Sequence, residues 1–332
     1  MPELSDLIVL VTEGEYKRAQ SVFASAPGVQ CTPAPREERE LARAIGAAGT
    51  RYVVVGSFPY SSELYATLPR GGVIARFGVG HENVDKAKAT SAGLLCTNTP
   101  GVLDRSVAEH AILLMLAAAR HIAKNTSDMR RGMWDLGPSG FELGEKTLAI
   151  VGCGRIGRAT ARIAARGFGM RVVGIQRSRP TAARDADFEM ITDDFAAGVR
   201  EAHYVSLHIT ADAPNRHFMN AERLAMLRTD AWLINTGRGA LVDESALYDA
   251  LAPGRIAGAA LDVFDREPYV PVDPTRDFRT LENVVLTPHV GSHTREANRL
   301  MAERALQNIR LAAAGRFDEM DLLNPEVLQS NP

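Results

Sequence analysis

The stretch Thr147–Arg179 reads TLAIVGCGRIGRATARIAARGFGMRVVGIQRSR, and it decides the fold of the chain. Leu148–Val151 is a short apolar run, typical of a strand that is buried on both faces. Three glycines follow with the spacing G-x-G-x-x-G, namely Gly152, Gly154 and Gly157. Apolar residues at helical spacing and a second apolar run, Val172–Ile175, complete the order strand, turn, helix, strand, which predicts a βαβ unit.

Each glycine of this turn has a distinct physical task. The first permits a tight turn, the second lets the backbone approach a pyrophosphate, and the third lets the helix pack closely on the strand. The N–H groups at the start of the helix then face the anion, aided by the helix dipole. We therefore predict a dinucleotide-binding turn, and the alternative is a glycine turn without a ligand. The predicted binding residues of this turn are Gly152, Gly154, Arg155, Ile156 and Gly157.

Size and composition restrict the class of protein. A chain of 332 residues is long enough for two domains, and 45% hydrophobic with 23% charged residues is typical of a globular protein. The net charge of -2 gives no general attraction to nucleic acid or anionic membranes. The apolar run Ala111–Ala119 is too short to span a bilayer, and the first residues lack the basic segment of a secretory signal. The 3 cysteines show no C-x-x-C spacing, so we expect a cytoplasmic protein with reduced thiols and no metal site.

Strands alternate with helices on both sides of the glycine turn, which predicts two α/β domains with parallel sheets. The first domain has no glycine fingerprint, and Pro33–Pro35 is expected to break its regular structure. The tail, with a helix at Arg295–Ala314, is expected to return to this domain. The fold class is therefore α/β, with a Rossmann dinucleotide-binding domain and a flavodoxin-like domain, both doubly wound parallel sheets. The expected bounds are 1–100 with 293–332 for the discontinuous first domain and 101–292 for the second.

One expected helix is apolar on most of its faces. Ser106–Ala123 reads SVAEHAILLMLAAARHIA. Such a helix is buried, so we expect it to lie between domains or between subunits. Burial wholly within one chain is the alternative. His110 and His121 on this helix are interpreted as packing or interface residues.

Three polar residues each follow an expected strand of the second domain, where ligands of open α/β sheets bind. Arg238 offers a planar fork that can grip a carboxylate. His289 can give and take a proton near neutral pH, and a carboxylate such as Glu267 would favour its charged form. Each residue alone has a plainer interpretation, as a loop arginine, a helix-start carboxylate or a core histidine. Together, after successive strands of a dinucleotide fold, they predict an active site.

The motifs around these residues resemble those of the D-isomer-specific 2-hydroxyacid dehydrogenases. The resemblance runs from about Gly72 to Thr294 and includes the glycine turn. Its other motifs are RFGVGHENVD (Arg76–Asp85), NTPGVLDRSVAEHA (Asn98–Ala111), INTGRGALVDESAL (Ile234–Leu247), ALDVFDREP (Ala260–Pro268) and LTPHVGSHT (Leu286–Thr294).

The resemblance implies the reduction of a small 2-oxo acid, such as glyoxylate or hydroxypyruvate, to the D-2-hydroxy acid by hydride transfer. His289 would protonate the carbonyl, Glu267 would hold His289 protonated, and Arg238 would bind the substrate carboxylate. The first domain would bind the substrate and the second NAD(P). The implied substrate contacts are Ser57, Val79, Gly80 and Arg238.

The resemblance also implies further contacts with the cofactor. Asp262 would meet the nicotinamide carboxamide, and the remaining groove residues would be His208, Thr210, Thr236, Gly291 and Ser292. Two positions depart from the family pattern, which usually has proline at Thr210 and alanine or serine at Gly237. Both departures lie in the cofactor wall and leave the acid and the arginine unchanged.

The residues after Ile175 predict which nicotinamide is used. An NAD enzyme places Asp or Glu near this point to bond the ribose 2′-hydroxyl. Here the chain continues with Gln176, Arg177, Ser178 and Arg179, which include no carboxylate and can pair with a 2′-phosphate. We predict that NADP(H) is preferred and that NAD(H) is possible. The alternative is a positively charged surface turn in an NAD or dual-specificity enzyme.

Three rival functions share this fold. A 3-phosphoglycerate-type dehydrogenase would need added basic residues in the first domain, which the sequence does not place. A formate dehydrogenase would, by resemblance, carry Gln in place of Glu267. A nucleotide-sensing, corepressor-like binding protein would tend to add docking tails. We also expect a homodimer through Ser106–Ala123, because the family pairs through this region, and no nucleic-acid or membrane partner.

Overall fold

The computed structural model describes residues 7–135, 137–177 and 186–329. The chain divides into two compact units at two points, between Leu103 and Asp104 and between Ser292 and His293. The first point lies slightly later than the expected boundary at 100/101. Which unit binds substrate and which binds cofactor stays a prediction.

The described residues form twelve strands and twelve α-helices. The strands are β1 (Leu7–Thr12), β2 (Val29–Ala34), β3 (Tyr52–Val55), β4 (Val73–Arg76), β5 (Leu95–Thr97), β6 (Thr147–Val151), β7 (Arg171–Ile175), β8 (Met190–Thr192), β9 (Tyr204–Leu207), β10 (Trp232–Asn235), β11 (Gly258–Leu261) and β12 (Val284–Leu286). The helices are α1 (Glu13–Arg18), α2 (Gln20–Ala24), α3 (Glu38–Ala48), α4 (Glu63–Thr67), α5 (Lys86–Ser91), α6 (Asp104–Ala119), α7 (Ile122–Arg130), α8 (Arg155–Phe168), α9 (Phe195–Val199), α10 (Ala221–Ala225), α11 (Glu244–Leu251) and α12 (Arg295–Ala313).

The first unit is built on a five-stranded parallel sheet with the order β2-β1-β3-β4-β5. Each residue of β3 is buried, as expected for a central strand covered on both faces. This is the flavodoxin-like order, in which the direction of strand addition reverses between β1 and β3. The carboxyl ends of these two strands are therefore the place where such a sheet binds ligands.

The expected break at Pro33–Pro35 is wrong, because β2 continues to Ala34 and Pro33 pairs with Val11. β2 is the edge strand of its sheet. Proline is tolerated at an edge because the missing N–H can lie on the side that has no partner strand.

The tail returns to the first unit after α12. The backbone N–H of Leu323 donates to the carbonyl of Cys96 (2.8 Å). The side chain of Asn324 accepts from the Cys96 N–H (2.9 Å) and donates to the Leu94 carbonyl (2.9 Å). The tail is thus hydrogen-bonded along β5.

The second unit is built on a seven-stranded parallel sheet with the order β12-β11-β10-β9-β6-β7-β8. An interior strand of this sheet, β6, carries the glycine turn at its carboxyl end. Leu148 and Ile150 belong to one buried cluster, while Ala149 and Val151 belong to another. Side chains of a strand alternate between faces, so helices cover both faces of this sheet. The predicted α/β class with two doubly wound parallel sheets is confirmed.

The apolar segment Ser106–Ala123 is not one helix, contrary to expectation. α6 ends at Ala119, His121 has a left-handed backbone (φ 50°), and α7 starts in a direction bent by 63°. α6 packs on α8 and on β10 and β11 of its own unit, and it buries Ala111, Leu114, Met115 and Ala118 there.

No single helix in the described part of the chain is long and apolar enough to cross a bilayer. α6 and α7 reach that length and composition only when taken together as a bent pair.

Candidate functional site

The glycine turn has the geometry that its spacing predicts. Gly152 has φ 100°, and a Cβ there would lie 2.5 Å from the carbonyl oxygen of His208. A Cβ on Gly157 would overlap the carbonyl oxygen of Gly152. Gly154, at the N-cap of α8, has no such neighbour within 4 Å. The first and third glycines are therefore required by packing, and the second leaves open space above the backbone.

The two residues after Gly154 start helix α8, so their N–H groups face the space beside Gly154. Arg155 is 72% exposed at its side chain and donates from Nε to Asp104 (2.8 Å). Ile156 follows it in the first turn of the helix. This arrangement suits a bound pyrophosphate, since N–H groups and the positive end of the helix dipole meet there.

The expected groove residues after β9 and β10 also fit a dinucleotide. The Thr236 hydroxyl is buried and has no hydrogen-bond partner among the described residues, so it is available to a ligand. His208 Nε2 lies 2.9 Å from the Ser206 hydroxyl, and burial lowers the pKa of His208 to about 4, which keeps its ring neutral. Thr210 is exposed, and its hydroxyl donates to Asp212 (3.3 Å).

Glu267 and His289 form a direct pair. They follow the neighbouring strands β11 and β12, and His289 Nδ1 lies 2.6 Å from Glu267 Oε2. The other carboxylate oxygen of Glu267 accepts from the backbone N–H of Phe264 (3.1 Å). The carboxylate is thus fixed at both oxygens, and the imidazole ring is oriented by a charge-assisted hydrogen bond.

His289 has a left-handed backbone, with φ 52°. This conformation is uncommon for a residue with a side chain and needs support from its surroundings. The His289 N–H donates to the carbonyl oxygens of Asp262 (2.7 Å) and Thr287 (3.1 Å). The next two N–H groups, of Val290 and Gly291, donate to the Asp262 carboxylate at 2.8 Å each. The loop that carries His289 is therefore built on Asp262.

Asp262 has more internal partners than its expected role at the carboxamide suggested. It is 1% exposed, and its carboxylate also accepts from the Thr287 hydroxyl (2.6 Å). Burial alone would raise the pKa of Asp262, but the hydrogen bonds from His110, Thr287, Val290 and Gly291 outweigh it and lower the pKa below its ordinary value. The side chain stays ionised, and its contact with a carboxamide remains a proposal.

Arg238 lies just after β10, which pairs with β11 and is the third strand from the β12 edge of the sheet. Its backbone carbonyl accepts from the Asn235 side chain (2.9 Å), and its Nη1 donates to the Gly237 carbonyl (2.7 Å). The next residue, Gly239, packs so closely that a Cβ there would overlap the carbonyl carbon of Phe264. The loop with Arg238 is thus in direct backbone contact with the loop that holds Glu267.

Glu244 of α11 is hydrogen-bonded to the loop that holds Glu267. Sequence reasoning missed this residue. Its Oε1 accepts from the Asp265 N–H (2.8 Å), while Oε2 is buried without a partner in the described ranges. Burial, assisted by the nearby charge of Asp265, raises the pKa of Glu244. The glycine directly after Arg238 was the available signal for close packing here, but nothing in the sequence pointed to Glu244.

The expected substrate contacts of the first unit follow β3 and β4. Ser57 is exposed, and the flanking carbonyls of Gly56 and Phe58 accept from the Asn83 side chain, at 2.9 Å each. The Val79 carbonyl accepts from the Asn98 side chain (2.8 Å), which orders the turn before Gly80. Both segments therefore lie at the carboxyl ends of neighbouring strands.

Of the residues expected to select the cofactor, Arg177 is described and is exposed at a bend after β7. Gln176 precedes it and continues the sheet, because its N–H donates to the Thr192 carbonyl (2.9 Å). Ser178 and Arg179 lie outside the described residues. Ser292 is half-buried directly after Gly291. The described ranges hold no group of three or more His, Cys, Asp or Glu side chains that could bind a metal.

Residues 112–291 match the model of the D-isomer specific 2-hydroxyacid dehydrogenase NAD-binding domain. The chain belongs to the D-isomer specific 2-hydroxyacid dehydrogenase family. It is 40% identical over 279 residues to a glyoxylate reductase of Thermococcus litoralis. The match covers 81% of this chain and 82% of the relative. It is 37% identical over 322 residues to a D-3-phosphoglycerate dehydrogenase of Methanocaldococcus jannaschii, which covers 97% of this chain and 60% of that one.

Among solved structures, this dehydrogenase is similar to the NADPH-dependent glyoxylate/hydroxypyruvate reductase of Sinorhizobium meliloti in complex with NADP and malonate. The two are 28% identical with a TM-score of 0.78, and the match covers 92% of this chain and 93% of the other. The expected family is confirmed, and this dehydrogenase is an oxidoreductase that uses a nicotinamide cofactor.

Proposed function

We propose that this dehydrogenase reduces a small 2-oxo acid of the glyoxylate or hydroxypyruvate type to the D-2-hydroxy acid, with His289 as the general acid. The observation that carries the proposal is the 2.6 Å pair of His289 and Glu267 at the carboxyl ends of adjacent strands. Glyoxylate reductases among the relatives support the substrate class. A cytoplasmic location belongs to the same proposal and is supported by three free cysteines.

The hydrogen bond between Glu267 and His289 determines which ring nitrogen of His289 carries a hydrogen toward the carboxylate. The Glu267 carboxylate only accepts, so His289 Nδ1 carries a hydrogen, and Nε2 is left to exchange a proton with the substrate oxygen. The nicotinamide, when bound, supplies the hydride. Arg238 binds the substrate carboxylate through its fork, which orients the carbonyl toward Nε2. Ser57, Val79 and Gly80 are proposed as further substrate contacts.

The test is the loss of nicotinamide absorbance with glyoxylate or hydroxypyruvate as substrate. His289→Asn should lower kcat by about 100-fold or more, since general acid catalysis typically contributes factors of this size. The matched control is His293→Asn, because His293 is exposed and its ring contacts the side chain of Asn298 (3.3 Å). Equal activity of wild type and His289→Asn would refute the proposal.

NADPH is the proposed preferred cofactor. Arg177 is an exposed cation just past β7, and no carboxylate stands between Ile175 and Arg177 to receive a ribose hydroxyl. Ser178 and Arg179 would complete the phosphate contacts. Arg177→Ala should lower kcat/KM for NADPH selectively, whereas Arg200→Ala, which removes an exposed arginine paired with Glu201, should not. An NADPH-to-NADH ratio of kcat/KM near or below unity would contradict this preference.

A 3-phosphoglycerate-type activity is the second candidate, favoured by the relative that matches 97% of the chain. The buried Glu15 argues against it. Its carboxylate lies where a Cβ of Gly56 would be, beside the carboxyl ends of β1 and β3. A negative charge at the ligand-binding end of this sheet disfavours a phosphorylated substrate. Oxidation of 3-phosphoglycerate that is faster than oxidation of glycolate or D-glycerate would reverse the assignment.

A homodimer is proposed as the working assembly. Large apolar side chains are exposed on one stretch of the chain, on α6, on α7 and after it: Leu113, Ile122, Met129, Met133, Trp134 and Phe141. Exposed apolar residues of this number typically mark an interface. Ile122→Glu should convert a dimer to a monomer in light scattering, and a wild-type chain that is monomeric at assay concentration would exclude the proposal.

A further inference from the structure

His110 lies on α6 and reaches the loop that carries His289. Its side chain is 10% exposed, and its Nε2 lies 3.1 Å from the Thr287 hydroxyl and 3.3 Å from Asp262 Oδ1. A Cβ on Gly291 would lie 3.5 Å from the His110 ring, so the ring also forms one wall of the loop. None of the catalytic, substrate or cofactor roles expected for this chain involves His110.

The direction of each hydrogen bond in this cluster follows from the groups themselves. The ionised Asp262 carboxylate can only accept, so the Thr287 hydroxyl, 2.6 Å away, donates its single hydrogen to it. The Thr287 oxygen can then only accept from His110. His110 Nε2 therefore carries a hydrogen, and it donates toward Thr287 and Asp262.

The cluster of His110, Thr287 and Asp262 is hydrogen-bonded to the loop that contains the left-handed residue His289. The Asp262 carboxylate binds the N–H groups of Val290 and Gly291, and its backbone carbonyl binds that of His289. These bonds hold the left-handed backbone of His289, which would otherwise favour a common conformation. A carboxylate with one fewer donor is held less firmly against the loop, because its remaining hydrogen bonds define its orientation less completely.

We propose that His110 is a positioning residue for the proton donor. By donating from Nε2 to Thr287 and Asp262, it fixes the Asp262 carboxylate against the loop and so holds His289 in the backbone conformation that reaches Glu267. This proposal rests on the proposed function for its effect on catalysis. Its effect on the loop itself does not depend on activity.

Two variants of His110 separate the hydrogen bond from the bulk of the ring. His110→Leu removes the donor and retains an apolar side chain, whereas His110→Gln retains an N–H donor at the end of a similar length of side chain. We expect kcat of His110→Leu to fall about 10- to 100-fold, since small misplacements of a reacting group cost this much. The KM for NADPH should stay within about threefold, and His110→Gln should recover most of kcat. Thr287→Val, compared with Thr287→Ser, tests the same chain of bonds if His110→Leu does not fold.

Hydrogen exchange of the peptide that spans Leu286–Thr294 is the readout that is independent of turnover. In His110→Leu the N–H groups of Val290 and Gly291 should exchange about tenfold faster than in wild type, and in His110→Gln nearly as slowly as in wild type. Unchanged exchange in His110→Leu, equal impairment of both variants, or a loss confined to the KM for NADPH would overturn the proposal. A wild-type chain without 2-oxo acid turnover would contradict the proposed function, and exchange would still decide whether His110 holds the loop.

Discussion

At the scale of single residues, His289 is held by its neighbours through both its ring and its backbone. Its ring bonds to Glu267 at 2.6 Å, and its backbone, with φ 52°, bonds to Asp262 and Thr287. Strained backbone at a functional residue is maintained only where surrounding hydrogen bonds determine it. The proposed proton donor is thus positioned by its loop as well as by its partner carboxylate.

Glu267→Gln should leave the loop in place and impair the proposed acid. The amide oxygen can still accept from the Phe264 N–H, but the amide N–H2 group then faces His289 Nδ1, so the ring loses the charge-assisted hydrogen bond that orients it. We expect kcat to fall about 10- to 100-fold. The measurement is kcat with glyoxylate or hydroxypyruvate, with the exposed Glu282→Gln as control. A kcat equal to that of wild type would contradict the pairing role.

His208 should make the folded state sensitive to acid. Burial lowers its pKa from 6.5 to about 4, so between these two values the unfolded chain binds a proton that the folded chain does not. Stability is therefore lost as the pH falls through this window, by up to about 3 kcal/mol at 1.36 kcal/mol for each pKa unit. Denaturant unfolding at several pH values measures this loss. His208→Gln should lose less stability over the same window, and an equal loss in both proteins would refute the assignment.

At the scale of elements, the two loops that follow β10 and β11 are packed directly against each other. Gly239 packs against the Phe264 backbone, and Glu244 of α11 accepts from the Asp265 N–H. The contact joins the loop of Arg238 to the loop of Glu267, so the backbones that carry these two proposed site residues are held together.

Gly239→Ala should disrupt the contact between these two loops. The added Cβ would overlap the backbone of Phe264, so one loop must move. We expect a destabilisation of about 1–3 kcal/mol and a fall in kcat/KM with 2-oxo acid substrates. The control is Gly167→Ala in α8, where a Cβ meets nothing within 4 Å. That change should stabilise the protein by about 0.5–1 kcal/mol and leave activity unchanged. Unfolding midpoints and kcat/KM of both variants provide the measurement.

At the scale of the whole molecule, the chain crosses between its two units twice, after Leu103 and after Ser292. The second crossing comes within a few residues of His289 and Gly291, so the loop of the proton donor leads directly into the start of α12. Each unit is a doubly wound sheet with its expected ligand contacts at the carboxyl ends of its strands.

Cofactor binding should stabilise the whole molecule, and Gly154 allows this to be tested without damage to the fold. A ligand at a hundred times its Kd stabilises a folded protein by about 2.7 kcal/mol. A Cβ at Gly154 meets nothing within 4 Å and the residue has an ordinary φ of -75°, so unliganded Gly154→Val should remain folded, with a loss of about 1 kcal/mol at the N-cap of α8. It should lose the NADPH-induced rise in Tm, because the side chain would occupy the space of the pyrophosphate, while Gly167→Ala should keep it. A full NADPH-induced rise in Gly154→Val would contradict the placement of the cofactor.

The sequence by itself predicted the two parallel sheets and the glycine turn, because strand and helix periodicity and turn glycines act within a few residues. The pairing of Glu267 with His289 was implied by the resemblance to the family. The roles of the site residues remain proposals, including those at Ser178 and Arg179. Short elements such as β8, α4 and α7 were not predicted, because they are too short to show a period.

Only the tertiary structure decided how the proton donor is held. His110, Asp262 and Thr287 are far apart in the chain and belong to different motifs, and they meet because α6 packs across the strands that end near His289. The end of α6 at Ala119, the close contact of Gly239 and the buried carboxylate of Glu244 likewise depend on packing between distant segments. Local patterns fix which elements form, but the hydrogen bonds that orient a catalytic loop are set by neighbours that only the folded chain brings together.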